Sequence, residues 1–433
     1  MNTTIIFVGV VVFSFVVGRL LARYASKLLI FSGVEFLVAG VILGPSVPPR
    51  LLSLEVLKSL DLFTSMILGI VGFSVGLAIR RGRQGLEVGL AGAAAAIGVI
   101  LVVASLFLAV VQFAYPGFLH SEFPLAEIPM VVAQGRIWIL WIAPEALWLA
   151  LTIGSAAAVS STALIQMASK VFGAKPERIQ LLTSLASSGQ VTAVIVFGLA
   201  MAGSRTENSA EGLGLTLTEW GVVTVAAGTV CGLLFSIFIG REDDQVRINV
   251  ATVGAVTFAA GIGAALGVSP LLVNLVAGVI VSATSSLAER LQAALGPLRF
   301  PSNVLILLLA GANWVPAEGW LWMMPVGYAI IRVIARRTMT RWAVWTFVSE
   351  HRIGIGIGRG LIGHGALACA IALSFCQRFP DYASLVLTTV IGGMLLTDIV
   401  SMRSLRRYLA DVGDITPGQS SLEDGSAPAG GFA

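Results

Sequence analysis

Long apolar runs, interrupted by short clusters of charge, proline or glycine, follow one another from residue 4 to about residue 402. A helix that crosses a bilayer needs about 20 predominantly apolar residues. Thirteen runs are read as spans: 4–21, 28–44, 57–79, 86–113, 147–168, 179–202, 220–239, 248–266, 270–287, 298–313, 320–334, 360–375 and 383–402. The pattern predicts an all-α polytopic membrane protein with about thirteen transmembrane helices. Between 114 and 146, Pro116, Pro124, Pro129 and Pro144 mix with Trp138 and Trp141, which reads as a long loop at the membrane interface. From Asp411 the chain turns to Gly, Ser, Ala and Pro, a composition that builds no core. The expected division is a membrane domain over 1–410 and a disordered cytoplasmic tail over 411–433.

The placement of positive charge tests this count. Of the 27 Lys and Arg, only Arg50, Lys58, Arg136, Arg205 and Arg378 fall in loops after even-numbered spans. A missed or invented span would swap the sides of all later loops and blur that bias. Positive residues collect on the cytoplasmic side, so the N-terminus is expected outside and the C-terminus inside, in a bacterial inner (plasma) membrane. The net charge of +4 has this origin and does not indicate nucleic-acid binding. With 57% hydrophobic and 12% charged residues, the chain has too little charge to cover a soluble surface of its length. Cys231, Cys369 and Cys376 sit in apolar stretches without metal-ligand spacing. No cofactor, metal or enzymatic chemistry is expected.

Two stretches invite unwinding inside the membrane. Ser160, Ser161 and Thr162 place three hydroxyls in mid-span, near Gly154; Gly354, Gly356, Gly358, Gly360, Gly363 and Gly365 crowd the entry to the twelfth span. Broken backbone is tolerated at membrane depth only inside protein or against a water-filled cavity. One such break in each half of a chain points to a transporter built from inverted repeats. On the sixth span Thr183, Ser187 and Gln190 share a face. A water-filled cavity is expected between spans 5, 6, 11 and 12.

The second span contains Glu35, Ala39-Gly40 and Leu43-Gly44-Pro45-Ser46, and the third ends Phe73-Ser74-Val75-Gly76-Leu77. With Ser160-Ser161-Thr162-Ala163, Leu266-Gly267-Val268-Ser269-Pro270 and Ala277-Gly278, this order resembles the monovalent cation:proton antiporter superfamily, in its potassium-efflux and sodium/proton branch, over nearly all of 1–410. The resemblance implies crossed broken helices in two inverted repeats and a homodimer. It implies a scaffold of spans 1–3 and 8–10 and a moving core of spans 4–6 and 11–13, with span 7 joining them. It also implies exchange of a monovalent cation, K+ or Na+, with protons.

The ion-binding position departs from that family. Gln190 falls where potassium-efflux members carry Gln, but Val191 falls where they carry the ion- and proton-binding Asp, and Ala366 where relatives often have an acid. No Asp or Glu lies between Glu177 and Glu207. The expected pathway residues are Ser160, Ser161, Thr162, Thr183, Ser187, Gln190, Val191, Arg332 and His364. Arg332 either pairs with Asp398, an anion or a carbonyl end of a broken helix, or snorkels beside Arg336 and Arg337. His364 is the one imidazole inside a span and is a candidate proton site. Glu35 and Asp61 are weaker candidates. Cation:proton exchange with altered or lost coupling leads. An anion or neutral-solute transporter on the same fold, and a non-transporting membrane subunit with a soluble partner, remain open.

Overall fold

A computed structural model describes residues 33–48, 52–79, 83–114, 144–205, 215–239, 242, 244–284, 288–317, 319–348 and 356–414. The expected first span (4–21), most of the interface loop and residues 415–433 lie outside them. All regular structure among the described residues is helical. The first seven helices are α1 (Val34–Leu43), α2 (Leu54–Ser59), α3 (Asp61–Leu77), α4 (Arg83–Ala114), α5 (Pro144–Ala158), α6 (Thr162–Phe172) and α7 (Pro176–Gly203). The other seven are α8 (Leu217–Ile239), α9 (Gln245–Leu266), α10 (Pro270–Thr284), α11 (Ala288–Ala312), α12 (Met324–Phe347), α13 (Ala366–Arg378) and α14 (Ala383–Asp411). Every predicted span from the second to the thirteenth appears as helix. Among the described residues, seven helices are long and apolar enough to cross a membrane.

Local chemistry sets the ends. Ser161 caps α6 by accepting from the Leu164 N–H at 3.2 Å, and α6 stops at Gly173, whose φ of 63° is left-handed. Asp244 caps α9 by accepting from the Val246 N–H at 2.9 Å. Pro176 opens α7, where a missing N–H costs nothing. The fifth span is broken over 159–161 between α5 and α6, and the twelfth over 362–365, between a 3-10 turn (Ile357–Leu361) and α13. The unwinding is therefore at the hydroxyl cluster and not at Gly154. That glycine is helical, and a Cβ there would lie 2.7 Å from the Ile100 carbonyl oxygen of α4, so its role is close packing.

The helices fall into two groups. In one, α3 packs on α9, α10 and α11, α8 on α10, and α1 on α11. In the other, α4 packs on α5, α7 and α12, and α14 on α12 and α13. The groups meet where α13 touches α11 and α3, and where α7 touches α10. Among the described residues these groups hold spans 2, 3 and 8–10 and spans 4–6 and 11–13, as the resemblance implies; span 7, as α8, packs mainly on the scaffold's α10 and also touches α7, and span 1 lies outside the described residues. One apolar cluster runs through both, from Leu37 and Leu68 to Phe197, Leu272, Ile371 and Val390.

Two elements run past their predicted ends. α12 continues through Arg336, Arg337 and Arg341 to Phe347, because its buried face accepts Arg332 and Arg336 while Arg337 and Arg341 stay exposed. α14 reaches Asp411, and of the residues after it 412–414 are described and packed against the core. Asp414, with its side chain 3% exposed, takes Arg178 Nε at 3.1 Å and Lys175 Nζ at 3.5 Å.

One close-packed seam of the scaffold is the glycine face of α3 against α10. A Cβ on Gly72 would collide with the Leu271 carbonyl, and one on Gly278 would lie 2.5 Å from the Phe73 oxygen. Overpacking such a contact costs about 1–3 kcal/mol. Gly72→Val is expected to lower the melting temperature of the purified protein by several degrees. Gly89→Ala, on α4 with open space around it, should leave that temperature level or raise it. Equal tolerance of both changes would show that the seam is not close-packed.

Candidate ion pathway at the helix crossing

Breaking two helices in the same layer leaves four helix ends with unsatisfied backbone groups. The breaks bond directly to one another: the Ser161 N–H donates to the Gly363 carbonyl at 3.0 Å, and Ser160 Oγ donates to the Leu361 carbonyl at 2.7 Å. The orphan carbonyls at the end of α5 are taken by two arginines one turn apart on α12. Arg332 Nε donates to Ala157 O at 2.9 Å, Nη2 to Val159 O at 2.7 Å, and Nη1 to Ile362 O across the crossing. Arg336 Nη2 donates to Ala158 O at 2.7 Å, and its Nε to Ser160 Oγ at 3.0 Å. Both side chains are buried, at 0% and 1% exposure. Arg332 therefore does not snorkel, and its hydrogen bonds go to carbonyl ends of broken helices. A helix C-terminus carries partial negative charge, so cation and helix ends stabilise each other.

Asp398 serves the other side of the crossing. Its Oδ1 accepts from the backbone N–H of His364 at 3.0 Å, at the entry to α13. The His364 ring is 1% exposed, lies parallel to the Tyr328 ring with centroids 5.8 Å apart, and has Nε2 3.1 Å from the Tyr328 hydroxyl. This imidazole is packed behind the crossing and does not line the cavity described next.

A cavity of about 140 Å³ lies on the other face of the breaks, between core and scaffold. Its walls come from the second half of α3, the starts of α6 and α13, and the middles of α7 and α11. Five of the predicted pathway residues have a direct place at or beside it. Ser161, Thr162, Ser187 and Gln190 line it, and Ser160 forms the layer behind, where its carbonyl accepts Gln190 Nε2 at 2.7 Å. Thr183 is not in the lining; its buried hydroxyl has no hydrogen-bond partner. Val191 packs against the large apolar cluster. Arg332 and His364 are behind the crossing. The cavity thus uses spans 3 and 10 in place of span 11, because the arginines hold α12 against the opposite face of the breaks.

Arg299, Ser302 and Asn303 of α11 also line the cavity, and sequence reasoning did not find them. Their signal was weak: Arg299 stands between Pro297 and Pro301 inside a helix, where freed backbone groups mark a kink. Arg336 was legible in retrospect, since four residues after Arg332 is the same helix face. Among the described residues no carboxylate lines the cavity. Glu35 is in the first turn of α1, and Asp61 is engaged by Gln377 Nε2 at 3.4 Å. Neither reaches it.

Each buried acceptor left without a donor costs about 1–3 kcal/mol. Arg332→Gln is therefore expected to lower the melting temperature in detergent markedly. Arg337→Gln, on the exposed face of the same helix, should shift stability by no more than about 0.5 kcal/mol. If the two variants melted together, the clamp would not be what holds the crossing.

No family model matches the chain, and no curated protein does. Among solved structures, the sodium/proton antiporter MjNhaP1 from Methanocaldococcus jannaschii is similar over 95% of this chain and 100% of that one, with a TM-score of 0.66 and 13% sequence identity. At that identity the likeness speaks for the fold. The chain has the architecture of a sodium/proton antiporter, with two broken helices crossed between a scaffold and a core.

Proposed function

We propose that this protein is a secondary transporter on the fold of the cation:proton antiporters, in which a small monovalent ion occupies the cavity at the helix crossing and proton coupling is lost or altered. The observation that carries this reading is a polar cavity, set between two helix groups and against two helix breaks, that contains hydroxyl and amide groups but no carboxylate. The position of the cavity is that of a carrier. Rocking the α4–α7 and α12–α14 group against the α1, α3 and α8–α11 group would move the crossing and its contents relative to the membrane.

The likeness to MjNhaP1 supports exchange of a monovalent cation, Na+ or K+, with protons. The chemistry of the lining departs from it. A proton carrier has to change charge as it works, and Ser161, Thr162, Ser187, Gln190, Ser302 and Asn303 do not titrate near neutrality. In our reading the basic loops and the C-terminus face the cytoplasm, where Arg299 places the cavity mouth, and two copies form a dimer.

Purified protein in proteoliposomes, with a pH-sensitive dye inside and imposed gradients of potassium, sodium and chloride, tests this. Saturable flux of one ion with no matching proton movement is the expected result. A stoichiometric proton counterflow would mean that a carboxylate we place outside the pathway works as a carrier, with Asp398 the first to substitute. No flux of any ion would overturn transport.

A further inference from the structure

We propose that the cavity at the crossing takes a small monovalent anion. The proposal rests on the transporter reading above and adds the sign of the cargo.

The sign follows from how the four helix ends are compensated. The two carbonyl ends, at the close of α5 and at Ile362, are capped by Arg332 and Arg336. The two N–H ends, at the starts of α6 and α13, both face the cavity: Ser161, Thr162 and Ala163 line it from one side, and Gly365, Ala366 and Leu367 from the other. They converge closely, since a Cβ on Gly365 would lie 3.4 Å from that of Ser161. Ser161 caps α6 through the Leu164 N–H alone, and α13 has no side-chain cap. The N–H groups of Thr162, Ala163, Ala366 and Leu367, which lie in the first turn of a helix, have no acceptor within it. Helix N-termini carry partial positive charge and bind anions. Here no acidic side chain among the described residues of the lining offsets them.

Two observations independent of the helix ends agree. Arg299 is the charged residue in the lining, and it is exposed, so the cavity meets the surface beside a cation. Ser302 is 3% exposed, lines the cavity and makes no hydrogen bond with any described residue, so its hydroxyl is open to a ligand in the cavity. The hydroxyls donate or accept equally well and do not choose a sign. The carboxylate at the crossing, Asp398, engages the His364 N–H outside the lining and does not offset the cavity-facing ends. A cation seated here would face two helix N-termini and a guanidinium with no negative group in contact. A cavity of about 140 Å³ holds an ion of the size of chloride, nitrate or formate together with several waters.

The test uses the full chain in proteoliposomes of neutral lipid, with the membrane potential clamped by valinomycin and potassium. Radiolabelled chloride uptake is measured with nitrate and formate as competitors, beside parallel uptake of sodium and rubidium. Saturable chloride uptake that nitrate or formate competes away is expected. Arg299→Gln should reduce it about tenfold or more. Ala366→Asp, which puts a carboxylate among the N–H ends, should abolish it, and Ala366→Asn, equal in size but uncharged, should weaken it less; Arg337→Gln, on the exposed face of α12, should leave it unchanged. If a variant does not reconstitute, wild-type melting in chloride against gluconate is read instead; a rise with chloride supports the site, and no rise counts against it. Sodium or rubidium uptake without anion uptake would leave the transporter reading intact and overturn the anion. Uptake of neither ion by folded protein would overturn both.

Discussion

Two guanidinium groups bound to backbone carbonyls hold this structure at its centre. Unwinding a helix inside a bilayer leaves acceptors that water cannot reach, and each unsatisfied group there costs several kcal/mol. A buried arginine carries a penalty of its own when alone. Arg332 and Arg336 set these two costs against each other: the charges find Ala157, Ala158, Val159 and Ile362, and the carbonyls find donors. The five-donor fork of arginine suits this task, since one planar group reaches carbonyls of both breaks at once. Lysine, with a single point of charge, would not span them.

From that clamp the rest of the site follows. With the carbonyl ends tied to α12, the opposite ends of the same breaks turn toward the scaffold, and the starts of α6 and α13 become two walls of the cavity. Gln190 fastens α7 to the Ser160 carbonyl and so fixes the third wall. The scaffold supplies the fourth through α3 and α11, whose own positions are set by glycine-mediated backbone contacts. The cavity therefore lies on the boundary between two bodies, where relative movement changes its walls, and the groups it presents are fixed by the crossing itself.

The fold was largely readable from the chain because the bilayer imposes a simple rule on sequence. Apolar runs of spanning length, with Arg and Lys gathered after every second one, gave twelve helices that the described residues contain. The breaks were readable because Ser160-Ser161-Thr162 and the glycines before Ala366 have no other easy place in a membrane. The positions of the breaks were harder: Gly154 suggests unwinding and in fact serves close packing with α4. The end of α12 was misread at Ile334 because charge normally closes a span, and nothing in a linear pattern says that a helix face will meet carbonyls. The same limit hid Arg299, Ser302 and Asn303. They come to the site from a distant part of the chain through scaffold packing, and no local spacing records that. Val191 was the reverse case: the motif places it at the ion site, whereas its side chain turns into the apolar core beside it.

The clamp also constrains the order in which the chain can be assembled. α12 carries Arg332, Arg336, Arg337 and Arg341, and it is not among the helices apolar enough to cross a membrane unaided. An arginine at the centre of a lone helix costs about 2.5–3.5 kcal/mol on the biological insertion scale. Among the described residues Arg332 and Arg336 take their partners from 157–160 at the first break, made long before them, and from Ile362, made just after. The entry of α12 into lipid thus depends on the amino-terminal half being already in place with the fifth span unwound. The first half of the chain acts as an internal receptor for the second, and biogenesis runs in the direction of synthesis.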